Sequence, residues 1–283
     1  MPCAGELTAV AGVIGGHIYK SGEKMPIPKT IHYCWFGRET KPARVEKRIA
    51  GWEKRCPDYQ IIEWNEDNYD ISAAPPYIRQ AYESKKWAFV TDYVRLRVVH
   101  DYGGIYMDTD VEVIKTLDPL LIHKAYFGYE DCVHIATGLG FGAEKGSPIL
   151  RELMEDYHRL DRSDFLNKPV KCPILNTEVF VRHGLRQDNS CQVLDNDIHI
   201  LPTEYLCPID YQTGKKRITK NTISIHWFDA SWQTEEQKQA HKTLVRKRRL
   251  ADTIDYWQHM PNRIAMRLLG KERYDSLKHR LKG

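Results

Sequence analysis

The chain has 283 residues and carries 42 Lys and Arg against 38 Asp and Glu, a net charge of +4. That length suits one large domain, or one domain with a helical appendage. A 42% hydrophobic and 28% charged composition is that of an ordinary globular protein. No apolar run approaches the 18 residues of a membrane span, so a bilayer-crossing helix is excluded. Seven cysteines (3, 34, 56, 132, 172, 191, 207) show no C-x-x-C spacing, which argues against a zinc or disulfide framework and for reduced thiols in a cytoplasm.

The first 24 residues hold a mildly apolar patch, Leu7 to Ile14, without a basic leader, so a signal peptide is not expected. The β-branched and aromatic run Lys29 to Gly37 predicts a first strand, and Tyr59 to Trp64 a second. Between them Val45, Ile49 and Trp52 recur at helical spacing up to Pro57. Strand, helix, strand is the opening of an α/β sheet. A short helix over Ile78 to Ser84 and a stronger one over Trp87 to Tyr102 follow, the latter stopped by Gly103. Ile105 to Met107 reads as a buried strand, Val111 to Ile114 as an alternating one, and Ala125 to Tyr129 and Ile135 to Ala143 as further strands. Ser147-Pro148 opens a helix to about Leu160; 161–172 reads as loop; Pro173 to His183 is helical. Short strands are expected at Gln192 to Leu194, Ile198 to Leu201 and Ser224 to Phe228. From Thr234 two amphipathic helices are expected, broken at Pro261.

Four segments carry chemistry. Asp108 and Asp110 lie at i and i+2 where a strand ends, so both carboxylates are able to face one space. Two adjacent carboxylates repel unless a cation lies between them, which is how a divalent ion carrying a diphosphate is held. Taken alone, D-x-D is more often a polar turn. Asp92 and Arg95 share a face of an otherwise apolar helix, where a half-buried pair needs further partners such as sugar hydroxyls. Trp35 closes the first strand, at an edge where an aromatic ring can stack on a base. His226, in the apolar strand of SIHWFDASW, offers an imidazole suited to manganese, although a lone strand histidine is more often a core residue. Ser231 and Trp232 follow in a loop, where the indole N–H can reach a phosphate.

IPKTIHYCWFG, AFVTDYVRLRVVHDYGGIYMDTDVEV and SIHWFDASW, in this order and spacing, resemble glycosyltransferase family 32, the DXD sugar transferases of capsular and lipopolysaccharide gene sets. Clostridial glucosylating toxins and fungal mannosyltransferases are more distant relatives in that resemblance. It covers about Ile27 to Trp232 and implies a GT-A fold, a Rossmann-like mixed sheet, with a C-terminal helical appendage. The expected organisation is an extension over 1–24 (Met25 being the expected natural start), a catalytic domain over 25–233 and a basic helical region over 234–283.

By position the resemblance makes Trp35 the base-stacking residue, Asp92 and Arg95 the donor-sugar contacts, and Asp108 the ribose and sugar-side carboxylate. It makes Asp110 the direct metal ligand, His226 a late metal or diphosphate ligand, and Ser231 and Trp232 parts of a closing loop. Asp108, Asp110, Asp92 and Arg95 form the expected catalytic set. Where relatives carry a Thr-Gly-Pro segment this chain has Ile174 to Glu178, which leaves Asn176 or Thr177 as stand-ins.

The expected activity is retaining transfer of a hexose or N-acetylhexosamine from a nucleotide sugar, UDP-linked, with Mn2+ or Mg2+, to a lipid-linked saccharide of capsule, exopolysaccharide or O-antigen. An effector-like transferase acting on a protein is the alternative, and a non-enzymatic nucleotide-sugar binder the third reading. Residues 237–283 carry thirteen Lys and Arg against four acids, a charge of +9, so the remainder carries −5. Basic residues interleaved with Leu244, Ile254, Trp257, Ile264, Met266, Leu268 and Leu269 suggest an anionic membrane surface, a peripheral position at the inner face of the plasma membrane. No nucleic-acid motif accompanies this basic stretch.

Overall fold

In the computed structural model the described residues are 13–14, 17–18, 25–229, 235–270 and 273; within the last helix the side chains of 257–259, 261–266, 268 and 269 are not described. The chain divides into two units, residues up to 211 with 215–232, and 212–214 with 233–283.

In the first unit the strands are β1 (Val13–Ile14), β2 (His17–Ile18), β3 (Thr30–Cys34), β4 (Gln60–Trp64), β5 (Gly104–Tyr106), β6 (Val111–Val113), β7 (Ala125–Tyr129), β8 (Ile135–Ala136), β9 (Phe141–Ala143), β10 (Gln192–Leu194), β11 (Ile198–Leu201) and β12 (Ser224–His226). The helices are α1 (Ala43–Arg55), α2 (Pro76–Glu83), α3 (Trp87–Tyr102), α4 (Pro148–His158), α5 (Arg162–Asn167), α6 (Cys172–Arg182) and α7 (Thr203–Leu206). The main sheet runs β10-β11-β7-β9-β5-β3-β4, with β8 on β7; β12-β6 and β1-β2 form separate pairs. β3 is parallel to β4 and β5, β11 is parallel to β7, and β9 runs antiparallel between β5 and β7. This is the mixed α/β architecture expected of a GT-A-type domain.

Strand alternation divides the core between two faces. Cys34, Tyr106 and Phe127 pack with the α3, α4 and α6 side; Tyr33, Ile105 and Tyr126 pack with Trp52 of α1 and with β6. A sheet covered on both faces has apolar residues in both registers, which is why β5 and β7 read as continuous apolar runs.

α3 begins and ends as the sequence predicts. Gly103 (φ +71°) and Gly104 (φ +115°) then turn the chain straight into β5. A side chain at Gly104 would strike the Thr30 carbonyl at 2.7 Å and His32 Nε2 at 2.9 Å. That closeness has a purpose. His32 is fully buried; its Nδ1 accepts from the Trp64 indole at 3.0 Å, so Nε2–H donates to the Gly103 carbonyl at 2.8 Å. Burial holds His32 neutral by lowering its pKa. One side chain thus ties β3, β4 and the α3–β5 turn together, and fixes where β5 releases the chain.

Three expectations are corrected. Residues 161–172 contain helix α5, started by a capping box in which Asp161 accepts from Ser163 and Asp164 and the Asp164 side chain answers. The run 135–143 is two strands separated by a turn, since β8 and β9 both pair with β7. In the second unit a single helix, α8 (Glu235–Leu269), replaces the two expected helices. Pro261 removes one backbone donor, and helix-favouring neighbours on both sides carry the helix through it. The cysteines also differ in part: Cys34, Cys56, Cys132, Cys172 and Cys207 are free thiols, but Cys191 is disulfide-bonded.

Candidate active site

The carboxyl ends of β3 and β5 form one edge of the sheet, where ligand crevices of open α/β sheets lie. Trp35 follows β3 there, partly exposed, its indole N–H donating to the Glu39 carbonyl at 2.6 Å. Met107 and Asp108 leave β5 at the same edge. Asp108 N donates to the Gly138 carbonyl at 3.1 Å, and the Val111 N–H closes a turn on the Asp108 carbonyl at 3.0 Å. This turn swings both carboxylates toward β12.

Arg95 organises the α3 side. It is 4% exposed, yet its Nη2 lies 3.2 Å from Asp92 Oδ1 and 3.1 Å from Asp108 Oδ1. Its fork is aimed by Thr91, whose carbonyl and hydroxyl accept at 3.0 and 3.1 Å, and it lies over the Tyr106 ring at 5.0 Å. Tyr106 also donates to Asp108 Oδ1 at 3.0 Å. Burial pushes Asp92 up to about 6, against the pull of Arg95. Burial likewise raises Asp108, which Arg95 opposes. One buried guanidinium between two desolvated carboxylates leaves the cluster net negative, so further donors are favoured there.

Gly138 is the counterpart of this arrangement. A Cβ at that position would overlap Asp108 Oδ2 and come within 3.0 Å of Arg95 Nη1. Only glycine lets the β8–β9 turn pass this close to both.

The other half of the site comes from the end of the first unit. β12 pairs with β6 so that His226 stands opposite Val111, one residue past Asp110. His226 Nε2 is 3.1 Å from Asp110 Oδ1. The Asp110 carbonyl accepts from Trp227 N, and its Oδ2 from Asp229 N, each at 3.0 Å. Phe228 between them adopts a left-handed conformation (φ 53°), costly for a bulky side chain, and its ring packs edge-on to His226 at 4.3 Å and against Tyr211 at 4.9 Å. The strained turn aims the Asp229 N–H at Asp110. Asp229 is anchored in turn by Arg48 at 2.6 Å and Arg44 at 3.0 Å, both on α1.

Burial pushes the Asp110 carboxyl up, but the charge and close contact of His226, the Asp229 N–H and the Arg48 charge together outweigh this and hold it below the usual carboxylate range. Burial works to lower His226, and Asp110 holds it well above the usual imidazole value.

Asp108, Asp110 and His226 therefore converge: one ligand atom from each lies within 4.8 Å of the others. Asp110 Oδ1 has only the ion-pair contact with His226 Nε2, outside hydrogen-bond geometry, and His226 Nδ1 is buried without a hydrogen-bond partner. Two carboxylates and an imidazole suit a divalent ion of the manganese class, and this carboxylate oxygen is the group such an ion would satisfy.

The structure brings Asp92, Arg95, Asp108, Asp110 and His226 to one place, with Trp35 on the same edge. Ser231 and Trp232 lie outside the described residues. Asn176 and Thr177 separate in role. Thr177 is committed to the backbone, donating to the Pro173 carbonyl at 2.6 Å and accepting from Ile135 N at 2.8 Å. Asn176 donates to Thr137 at 3.1 Å and to Cys172 at 3.0 Å, and its Oδ1 is buried without a partner. Sequence reasoning missed Arg48, Arg44 and Asp229, whose link spans 181 residues, and Tyr106, Gly138 and Trp227. Tyr106, inside the Gly-Gly-Ile-Tyr run, and Trp227 and Asp229, inside SIHWFDASW, stood within segments already under suspicion; Arg44, Arg48 and Gly138 did not.

Residues 42–127 match the family described as a glycosyltransferase sugar-binding region containing a DXD motif. The chain is 30% identical over 161 residues to inositol phosphoceramide mannosyltransferase 3 of Schizosaccharomyces pombe, covering 54% of this chain and 43% of that protein. It is 24% identical over 147 residues to the mannosyl phosphorylinositol ceramide synthase SUR1 of Saccharomyces cerevisiae, covering 50% and 37%. The chain thus spans less than half the length of these relatives. Among solved structures, PaToxG glycosyltransferase aligns with a TM-score of 0.46 at 17% identity over 55% of this chain and 68% of that one. A glycosyltransferase involved in glycosylation of the PBCV-1 major capsid aligns at 0.42 and 12% over 75% and 97%. The relatives named here are fungal mannosyltransferases, not the capsule and lipopolysaccharide type expected, and the match to the family model is confined to the DXD-bearing sugar-binding region.

Proposed function

We propose that this chain is a metal-dependent, retaining glycosyltransferase that moves a hexosyl group from a nucleotide sugar to a lipid-borne acceptor. The convergence of Asp108, Asp110 and His226 beside the Asp92–Arg95–Asp108 bridge carries this reading. The mannosyltransferase names of the relatives support a hexose donor, and their inositol phosphoceramide names support a lipid acceptor over a capsular one. UDP is the expected nucleotide and Mn2+ or Mg2+ the expected ion.

Arg95, locked by Thr91 and unable to lose its charge, donates to sugar hydroxyls, and Asp92 accepts from them. Trp35 offers its face to the base. Asp110 is the direct metal ligand, with His226 and Asp108 completing the set and Asp108 turned to the ribose and sugar side. The bound divalent ion supplies Lewis-acid stabilisation of the departing diphosphate. The acceptor oxygen bonds to the anomeric carbon on the face the diphosphate leaves, and its proton passes to the leaving phosphate oxygen. No side chain then needs to act as covalent nucleophile. Ser231 and Trp232, by position in the resembling family, would contact the diphosphate.

In this reading 25–233 would hold the activity, 1–24 would have no part in it, and 234–283 would dock to an anionic bilayer. On α8, Lys242, Arg246, Lys247, Arg248 and Arg249 accompany Leu244, Leu250 and Ile254, all exposed, and Lys238 is half-buried beside Glu235. Of the apolar residues expected on this face, Trp257, Ile264, Met266, Leu268 and Leu269 fall among the undescribed side chains. No helix of the described residues is long and apolar enough to cross a membrane.

The test is a panel of UDP- and GDP-hexoses with Mn2+, scored by nucleotide release with and without a glycosylinositol lipid. Metal-dependent release from one hexose, accelerated by the lipid, is expected. Release from none, or release indifferent to chelation, would overturn the reading.

A further inference from the structure

A second histidine–carboxylate cluster lies at the other edge of the sheet. β7 runs parallel to β5 through the intervening antiparallel β9, so the amino ends of β7 and β11 are opposite the edge that carries Asp108 and Asp110. His123 precedes β7, and Asp197 and His199 straddle the start of β11. One ligand atom from each of the three lies within 4.8 Å of the others.

The two imidazoles are stacked, ring centroids 3.5 Å apart and planes 25° from parallel, and are 4% and 9% exposed. Asp197 is fixed by its backbone. Asn196 and Asp197 both take left-handed conformations (φ 59°), and Asp197 Oδ2 accepts from Lys124 N at 3.1 Å. This leaves Oδ1 facing His199 Nε2 at 2.8 Å. Asn and Asp adopt this conformation more readily than other side chains, so Asn196-Asp197 suits the turn that sets the carboxylate beside the buried imidazole. The Asp197 side chain is 37% exposed, which gives water and ions an entry path.

The geometry points to a divalent transition-metal site, of the Zn2+ class, formed by His123, His199 and Asp197 and independent of the DXD site. Two imidazoles and one carboxylate are a zinc-type donor set, with water completing the tetrahedron. The ion would replace the His199–Asp197 contact and widen the angle between the stacked rings, so that both nitrogens address one centre. It would tie the segment before β7 to the turn before β11, where two strands of the sheet begin.

The experiment titrates the untagged, full-length chain, freed of metal by EDTA, with Zn2+ and with Co2+. Asp110→Ala serves as background, so that the DXD site contributes nothing. One equivalent of Zn2+ is expected to bind and raise the melting temperature, and Co2+ to give the visible absorption of a low-symmetry nitrogen–oxygen site. Adding Asp197→Asn, which keeps an acceptor for Lys124 N–H, should weaken binding on the order of tenfold or more, the loss seen even for outer-sphere partners. His199→Gln should abolish it, and a melting curve without metal checks that both variants fold. No binding in Asp110→Ala, or binding unmoved by both Asp197→Asn and His199→Gln, overturns the proposal. So does protection confined to chains with an intact Asp110.

Discussion

The two edges of the sheet hold similar residues in different circumstances. At the carboxyl edge, Asp108, Asp110 and His226 come from segments more than a hundred residues apart and meet in an acidic, crowded cluster, with His226 Nδ1 buried without a hydrogen-bond partner. At the amino edge, His123, Asp197 and His199 come from adjacent parallel strands, and the carboxylate already has a backbone donor and a histidine. The first edge is surrounded by supporting groups: Arg95 between two aspartates, Gly138 cleared for Asp108, Phe228 strained to aim Asp229 N. The second is held more simply, by the left-handed Asn196–Asp197 turn and the Lys124 N–H. Supporting contacts of that density are what a reacting site requires, because a misplacement of about 1 Å can cost a hundredfold in rate; a site that only binds an ion needs its ligands and little else.

Breaking the first edge should therefore silence turnover while sparing the second. Asp110→Ala is expected to lower kcat for nucleotide release on the order of 10² to 10³, the loss typical of removing one stabiliser of developing charge. Zn2+ protection of the amino edge should persist in the same variant. Gly138→Ala should cost roughly a hundredfold through displacement of Asp108 and Arg95, together with about 1–3 kcal/mol of stability from overpacking, read by steady-state kinetics and urea melts.

A pH series sharpens the division. Asp92 is raised to about 6 by burial, so it is a carboxylate above that pH and a carboxylic acid below it. Donor affinity should fall as the pH drops through about 6, at up to roughly tenfold per unit. Asp92→Asn should flatten that limb. Stability moves in the opposite sense. A raised carboxylate favours the folded chain most below its unfolded pKa and loses that contribution as the pH rises through about 6. At the amino edge, Asp197→Asn should leave nucleotide release unchanged within about twofold, since distant sites without shared partners act independently. The smallest effect concerns the second unit. Replacing Arg246, Lys247, Arg248 and Arg249 with Gln should weaken flotation with anionic liposomes at low salt, and raising the salt should erase the difference.

What the sequence revealed follows the range of the interactions. Helix α3 is legible to the residue because apolar spacing and Gly103 are local signals, and Asp92, Arg95, Asp108 and Asp110 fall within one 19-residue stretch. Helix α5 was also locally written, in the Asp161-x-x-Asp164 capping box, but its polar composition concealed it. The Arg48–Asp229 link and the clearance at Gly138 depend on chain segments that meet only after folding. The His123–His199 stack depends on β11 pairing with β7, and no periodicity announces which strands will be neighbours. At Pro261 the local penalty of one missing donor is smaller than the helix preference of its flanking residues, so α8 continues through it.

The central claim is that Asp110 anchors a metal-dependent sugar transfer. Its most direct test is the rate of nucleotide release from the preferred hexose donor, measured for the natural chain and Asp110→Ala across a Mn2+ titration. Saturable Mn2+ activation in the natural chain, and a flat, near-background response in Asp110→Ala, is the predicted result; equal activation of both chains would contradict the account.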